Sequence, residues 1–294
     1  MRGKVFVLAS VLAVSGTAAV YYAGQGRDGV QLATAATGSA PRGGERFTRL
    51  TDPPRTVVTT PGGAVVATLT DGSRTVVLTG PARTFAEPRS AKATVTTTAW
   101  VRLAPEPWSA DAERAPWFKP WLTVASGDTT PDVLAVSSQY LEGAPAVRDR
   151  TGTRIAGDAA FGRNTDYADY LGTGALDSAG FVRLVYGFRE GYPLQDNGSA
   201  LPRTAADMAG HGPGTPVVPD TGRRATDYSH LQPGDLLFFT KAPGADGVTR
   251  VGIYLGLDGD GHRRVLASSP DTGGPSFLDT GTEYARTFRS AKRL

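Results

Sequence analysis

Leu176-Asp177-Ser178-Ala179-Gly180-Phe181-Val182-Arg183-Leu184-Val185-Tyr186-Gly187 is the stretch on which the fold turns. Asp177 or Ser178 can cap a helix that starts here, because a short oxygen-bearing side chain accepts from the orphan N–H groups of a first turn. Phe181, Leu184, Val185 and Phe188 recur at helical spacing and give that helix an apolar stripe to bury. At its exposed start stands a hydroxyl, Ser178, where the positive end of the helix dipole favours a reactive anion. The dipole does little for an alcohol, so a serine nucleophile here requires an adjacent base. The plainer reading of Ser178 is a cap and nothing more.

Two later blocks accompany it. Leu231-Gln232-Pro233-Gly234-Asp235-Leu236-Leu237-Phe238-Phe239 places a turn before a strand, and Thr249-Arg250-Val251-Gly252-Ile253-Tyr254-Leu255-Gly256 supplies a partner across the Gly-rich hairpin loop Ala242–Val248. Arg264–Ala267 reads as another strand. Taken in order, these blocks resemble the NlpC/P60 family of cell-wall peptidases, whose helix begins Asp-Cys-Ser-Gly and whose later strand carries His-Val-Gly-Ile-Tyr. The resemblance runs from about Pro131 to the end of the sequence. It implies an α+β fold, a papain-like domain with helices packed on an antiparallel sheet. It also implies a cysteine-type hydrolase that cuts peptidoglycan stem peptides, typically at a γ-D-glutamyl–diamino-acid bond, through a thioester.

The reactive positions depart from that pattern. The chain has no cysteine, which excludes a thiol nucleophile, disulfides and zinc–thiolate sites together. Ser178 stands at the Cys position and Arg250 at the His position. A guanidinium stays protonated and cannot accept a proton. The third position, usually a polar residue that orients the base, falls at Ala267 or Ser268. The three histidines, His211, His230 and His262, lie in loop contexts. Ser178, Arg250 and Ala267 therefore read as vestigial catalytic positions. Substrate contacts are expected at Asp177, Ser178, Arg250 and Tyr254, with Arg250 offering a bidentate contact to a carboxylate. The opening helix of the domain, with Val133, Leu134, Val136, Tyr140 and Leu141 at helical spacing, stops at Gly143-Ala144-Pro145. There Ala146 replaces the family's aromatic, no Trp-Gly-Gly follows, and Val147–Gly174 reads as a polar, Gly-rich loop.

The rest of the chain sets the context. At 294 residues, 40% hydrophobic and 20% charged, it can fold as about two domains. A net charge of +3, with no basic stripe among aromatics, does not point to nucleic acid. Met1-Arg2-Gly3-Lys4 precedes an apolar run to about Ala23, which reads as a signal peptide or membrane anchor (residues 1–23) and implies an extracytoplasmic protein with a possible N-terminal membrane contact. Residues 24–45 read as a flexible linker. Residues 46–104 are rich in β-branched runs punctuated by Gly62-Gly63 and Asp71-Gly72, and are expected to form a small β module, possibly SH3-like. Residues 105–130, with Trp108, Trp117 and Trp121 among prolines, are expected to be a helical connector that packs the seam before the main domain, 131–294. Arg286, Arg289, Lys292 and Arg293 read as a solvated face, and Asp258 and Asp260 as turn residues without a calcium ligand set.

No cofactor or metal is expected. The expected function is an exported, catalytically silent NlpC/P60-like protein that binds peptidoglycan stem peptides. Two other readings stay open at this stage. One is a serine hydrolase with a relocated base such as His211 or His230, and the other an interaction partner of an active cell-wall hydrolase.

Overall fold

The computed structural model describes residues 44–88, 90–195 and 198–294. The expected signal or anchor, and nearly all of the expected linker, lie outside the described residues. Five strands open the described chain: β1 (Arg46–Thr51), β2 (Pro54–Thr59), β3 (Val65–Thr70), β4 (Thr75–Glu87) and β5 (Ser90–Leu103). They pair antiparallel in chain order. Alternating Thr and Val residues suit a half-buried pleated surface, which is why these runs become strands. Gly63 and Gly72 take positive φ values of 84° and 73° in two of the turns between them.

The tryptophan segment does not fill a seam between two units. It folds back onto the first sheet. Trp108, Phe118 and Leu122 are buried against Val58, Leu69, Val76 and Leu78, with Trp117 and Trp121 packed at the edge. Phe118 and Leu122 sit on α1 (Phe118–Gly127). Trp108 also donates its indole N–H to Thr56, so the connector serves as the module's own lid.

The second sheet has the order β10-β15-β11-β12-β13-β14. Its strands are β10 (Thr215–Val218), β11 (Leu236–Thr240), β12 (Val248–Leu257), β13 (Arg263–Ser269), β14 (Gly274–Asp279) and β15 (Phe288–Arg293). Helices α2 (Val133–Ser138), α3 (Tyr167–Thr173), α4 (Ser178–Val182), α5 (Ala205–Gly210) and α6 (Glu283–Thr287) complete the domain. The region read as a loop is in fact structured. It holds the short strands β6 (Val147–Arg148) and β7 (Arg154–Ala156), then β8 (Ala160–Phe161), which pairs in parallel with β9 (Ala175–Leu176). Between those last two lies α3, closed by a capping box of Asp166 and Asp169 and by Gly174 at φ 74°. Strands of two or three residues are too short to show a period, so the sequence pattern passes over them.

The central strands β11, β12 and β13 alternate between two cores. On one face Phe238, Val251, Ile253, Leu255 and Leu266 meet Phe181, Leu184 and Val185 of the central helix and its continuation. On the other, Leu237, Phe239, Tyr254 and Val265 pack with Phe288. Burying one large apolar side chain is worth about 1.5–3 kcal/mol, against about 1 kcal/mol for a cap, so the stripe rather than the cap fixes α4. The first core also takes in Phe85, Val95 and Val101 from the long strands β4 and β5. Module and domain thus share one interior.

Two of the four basic residues near the end of the chain are not solvated. Arg293 is 1% exposed and makes a two-pronged ion pair with the fully buried Asp235, at 2.7 and 2.8 Å, while also donating to Thr70 of the module. Lys292 donates to the carbonyls of Met208 and Gly212, and burial lowers the pKa of its ammonium.

Candidate functional site

Asp177 begins the site as an N-cap: its Oδ1 accepts from the Gly180 N–H at 2.7 Å. Gly180 is demanded by packing, since a Cβ there would lie 2.2 Å from the Thr165 carbonyl oxygen. Arg203 donates to Asp177 at 2.6 Å and also faces Asp166, which accepts from Arg183 at 3.0 Å. The Asp177 carboxylate is therefore held by a cap and an ion pair at once. After Val182 the helix widens into a π-turn over Arg183–Arg189, a departure that often marks functional positions.

Ser178 is 7% exposed. Its Oγ accepts from the Val251 N–H at 3.3 Å, which sets the hydroxyl against the start of β12, beside the backbone of Arg250. The Arg250 guanidinium is engaged differently. Its Nη1 donates to Asp271 at 3.1 Å and to the Tyr284 hydroxyl at 3.5 Å, and the group lies 5.9 Å from the tyrosine ring centre. Ser269 bridges the same pair, bonding to Asp271 and to the Tyr284 hydroxyl at 3.2 Å each. Burial raises the pKa of the Tyr284 hydroxyl, with the bond to Ser269 and the charge of Arg250 opposing the shift, so the phenol stays protonated near neutral pH. Among the described residues Nε and Nη2 of Arg250 donate to no protein atom.

Two expected site residues are placed elsewhere. Tyr254 is 2% exposed and lies in the far core with Leu237, Phe239 and Val265. Burial lifts the pKa of its hydroxyl well above the ordinary range, and a side chain in that core cannot reach a bound peptide. Ala267 packs on Gly252, where an added Cβ would meet it at 2.9 Å. The residue of β13 that actually joins Arg250's partners is Ser269. Asp271, Tyr284, Ser269 and Arg203 were not found from sequence. They come from the last residue of β13, from turns and from a short helix that carry no motif, so only the fold brings them together.

Each of the three imidazoles sits against a carboxylate. His211 lies 3.8 Å from Asp207, His230 lies 3.8 Å from Asp52, and His262 lies 3.3 Å from Asp279. Among the described residues no hydrogen bond joins an imidazole to Ser178, nor do three or more His, Asp or Glu side chains gather as a metal site. Chemically, the arrangement offers an alcohol bonded to the Val251 backbone and, separately, a fixed cation bonded to Asp271. Among the described residues no hydrogen bond joins Ser178 to a group that could take its proton.

A helix start seated under a strand start, on a sheet whose interior it shares, is the geometry that the comparisons with known proteins address. Residues 162–286 match the family model described as the NlpC/P60 family. The chain carries an NlpC/P60 domain. Among solved structures, this chain is similar to an NlpC/P60 family protein from Bacillus cereus ATCC 10987, with 16% identity over 85% of this chain and 79% of that one, at a TM-score of 0.30. It is also similar to NlpC1 from Trichomonas vaginalis, with 12% identity over 87% and 95% of the two chains, at a TM-score of 0.35. No curated protein matches it significantly. The match over residues 162–286 suggests a cell-wall peptidase-like protein.

Proposed function

We propose that this NlpC/P60 protein is an exported, catalytically silent binder of peptidoglycan stem peptides. One observation carries the reading: the Ser178 hydroxyl meets the Val251 N–H, and the residue before Val251, at the position the family resemblance gives to the base, is Arg250, whose side chain is tied to Asp271. An alcohol needs a base to become a nucleophile, and a guanidinium cannot serve as one. The same guanidinium suits recognition. It is about one-quarter exposed, at 27%, and its Nε and Nη2 have donors to offer a carboxylate of a stem peptide in two-pronged fashion.

Incubating the purified protein with isolated cell walls tests both halves of the proposal. The walls should retain the protein and no peptide fragments should be released. Ser178→Cys alone should stay inert, because a thiol still lacks its proton acceptor. The double variant Ser178→Cys, Arg250→His should turn over slowly. Fragment release by the unaltered protein would overturn the silent reading, and failure of the walls to retain it would overturn the binding one.

A further inference from the structure

Helix α1 is apolar on two faces, and the fold covers one of them. Phe118, Leu122 and Ala125 are buried against the first sheet. Trp117, Pro120, Trp121 and Val124 recur at positions i, i+3, i+4 and i+7, so they line a second stripe beside the buried one. Val124 is 70% exposed, Pro120 is exposed and the two indoles are partly so. Among the described residues no other large apolar side chain is as exposed as Val124. A helix apolar all round is normally enclosed. This one is open.

Charge and chain path together supply the occupant. From Arg114 to Gly127 the chain carries two cations, Arg114 and Lys119, and no carboxylate. Asp128, just past the helix, is paired with Arg102 at 3.3 Å, and Asp111 and Glu113 lie in the short turn that ends at Arg114. Tryptophan beside a cation suits the boundary between water and lipid, where an amphipathic ring finds a wet and an apolar neighbour at once. The first strand leads to the same surface. Phe47 of β1 meets Phe118 of α1 with ring centres 6.0 Å apart, so the described chain starts beside this helix. Before it, in sequence, comes the apolar run from Val5 to about Ala23, expected to be a signal peptide or membrane anchor. Residues 24–43 span at most roughly 70 Å. A bilayer gripping that run lies within reach of α1, which makes docking of the helix an intramolecular step.

We propose that α1 lies on an anionic lipid bilayer, with Trp117, Trp121 and Val124 at the boundary of headgroups and acyl chains and Lys119 among the phosphates. Its ten residues rise only about 15 Å, so the helix rests in the interface and does not cross it. It is a second hold on the membrane, and it fixes which way the peptidase-like domain faces. The inference rests on the apolar run acting as an anchor, and it is independent of the peptide-binding reading of Arg250. A wall glycan is the other polymer that meets tryptophan faces. Trp117 and Trp121 stand at 71° to each other with ring centres 6.1 Å apart, so the two cannot both lie flat beneath one run of sugar rings.

The test is tryptophan emission from the full chain in vesicles of phosphatidylglycerol and phosphatidylcholine whose acyl chains carry bromine near the headgroup. The chain has four tryptophans, Trp100, Trp108, Trp117 and Trp121, so the apolar N-terminal run adds nothing to the signal. Brominated lipid should quench roughly a third or more of the emission, since two of the four indoles sit on this face. Val124→Asp alters an exposed position and keeps every reporter. It should cut the quenching roughly twofold or more, because a carboxylate is costly at that depth. Trp117→Phe combined with Trp121→Phe should remove nearly all of it, and circular dichroism reports that each variant is folded. Quenching that Val124→Asp leaves unchanged, a chain that stays free of the vesicles, or emission that responds to soluble wall glycan and not to brominated lipid would each overturn the proposal.

Discussion

Arg293 and Arg250 each hold an aspartate, and the two pairs differ in almost everything else. Arg293–Asp235 is closed off, with side chains 1% and 0% exposed, two short bonds and a further bond to Thr70. Arg250–Asp271 is half open, at 27% and 59%, with one bond of 3.1 Å. A buried pair that loses one member leaves a charge with no water to receive it. An exposed pair that loses one member is rehydrated at little cost. The same chemistry is therefore architecture in one place and an exchangeable contact in the other.

The sharpest way to break that contrast is Asp235→Asn. It should cost about 3–5 kcal/mol of stability by orphaning Arg293, read as a fall in denaturation midpoint. A loss below about 1 kcal/mol would put the buried pair in the exposed class.

Glu190 probes the ground between. It is partly buried, and burial raises its pKa to about 7, with Arg102 opposing and Asp132 reinforcing the shift. The folded chain then binds this proton more tightly than the unfolded chain, whose carboxyl titrates near the ordinary value of 4.5. Its contribution to stability should fall as pH rises from about 4.5 to about 7 and stay flat above. Glu190→Gln should remove that slope and add about 1–3 kcal/mol at pH 8, after allowance for partial exposure. Denaturation at a series of pH values measures both.

The smallest effect on stability is expected from Asp271→Asn, within about 1 kcal/mol. If Arg250 is an exchangeable contact, freeing it should tighten retention on cell walls while leaving the denaturation midpoint nearly unchanged. A large loss of stability would instead make Arg250–Asp271 a structural pair.

How much of this was legible in the sequence depends on how each residue reaches the site. Asp177 and Ser178 are placed by a helix start, and Arg250 by a strand start, so local pattern finds them. Tyr254 was misplaced because a motif was read as a unit. Along β12, Arg250, Gly252 and Tyr254 alternate with Val251, Ile253 and Leu255, and only the second set faces the central helix. A strict period of two assigns Tyr254 to the far core. Arg203, Ser269, Asp271 and Tyr284 were invisible for another reason. They reach the site through turns, the very end of a strand and a five-residue helix, where no spacing predicts a direction. The α+β fold was legible because its strands and central helix carry long apolar runs, whereas β6 to β9 are too brief to leave a pattern.

The three-way grip of Arg293 has one more consequence. Its guanidinium ties Thr70 of the first sheet to Asp235 of the second. A cut of the gene between the two sheets would strand a cation in one fragment and an anion in the other. Natural shuffling of parts would therefore tend to carry both sheets as a single heritable block.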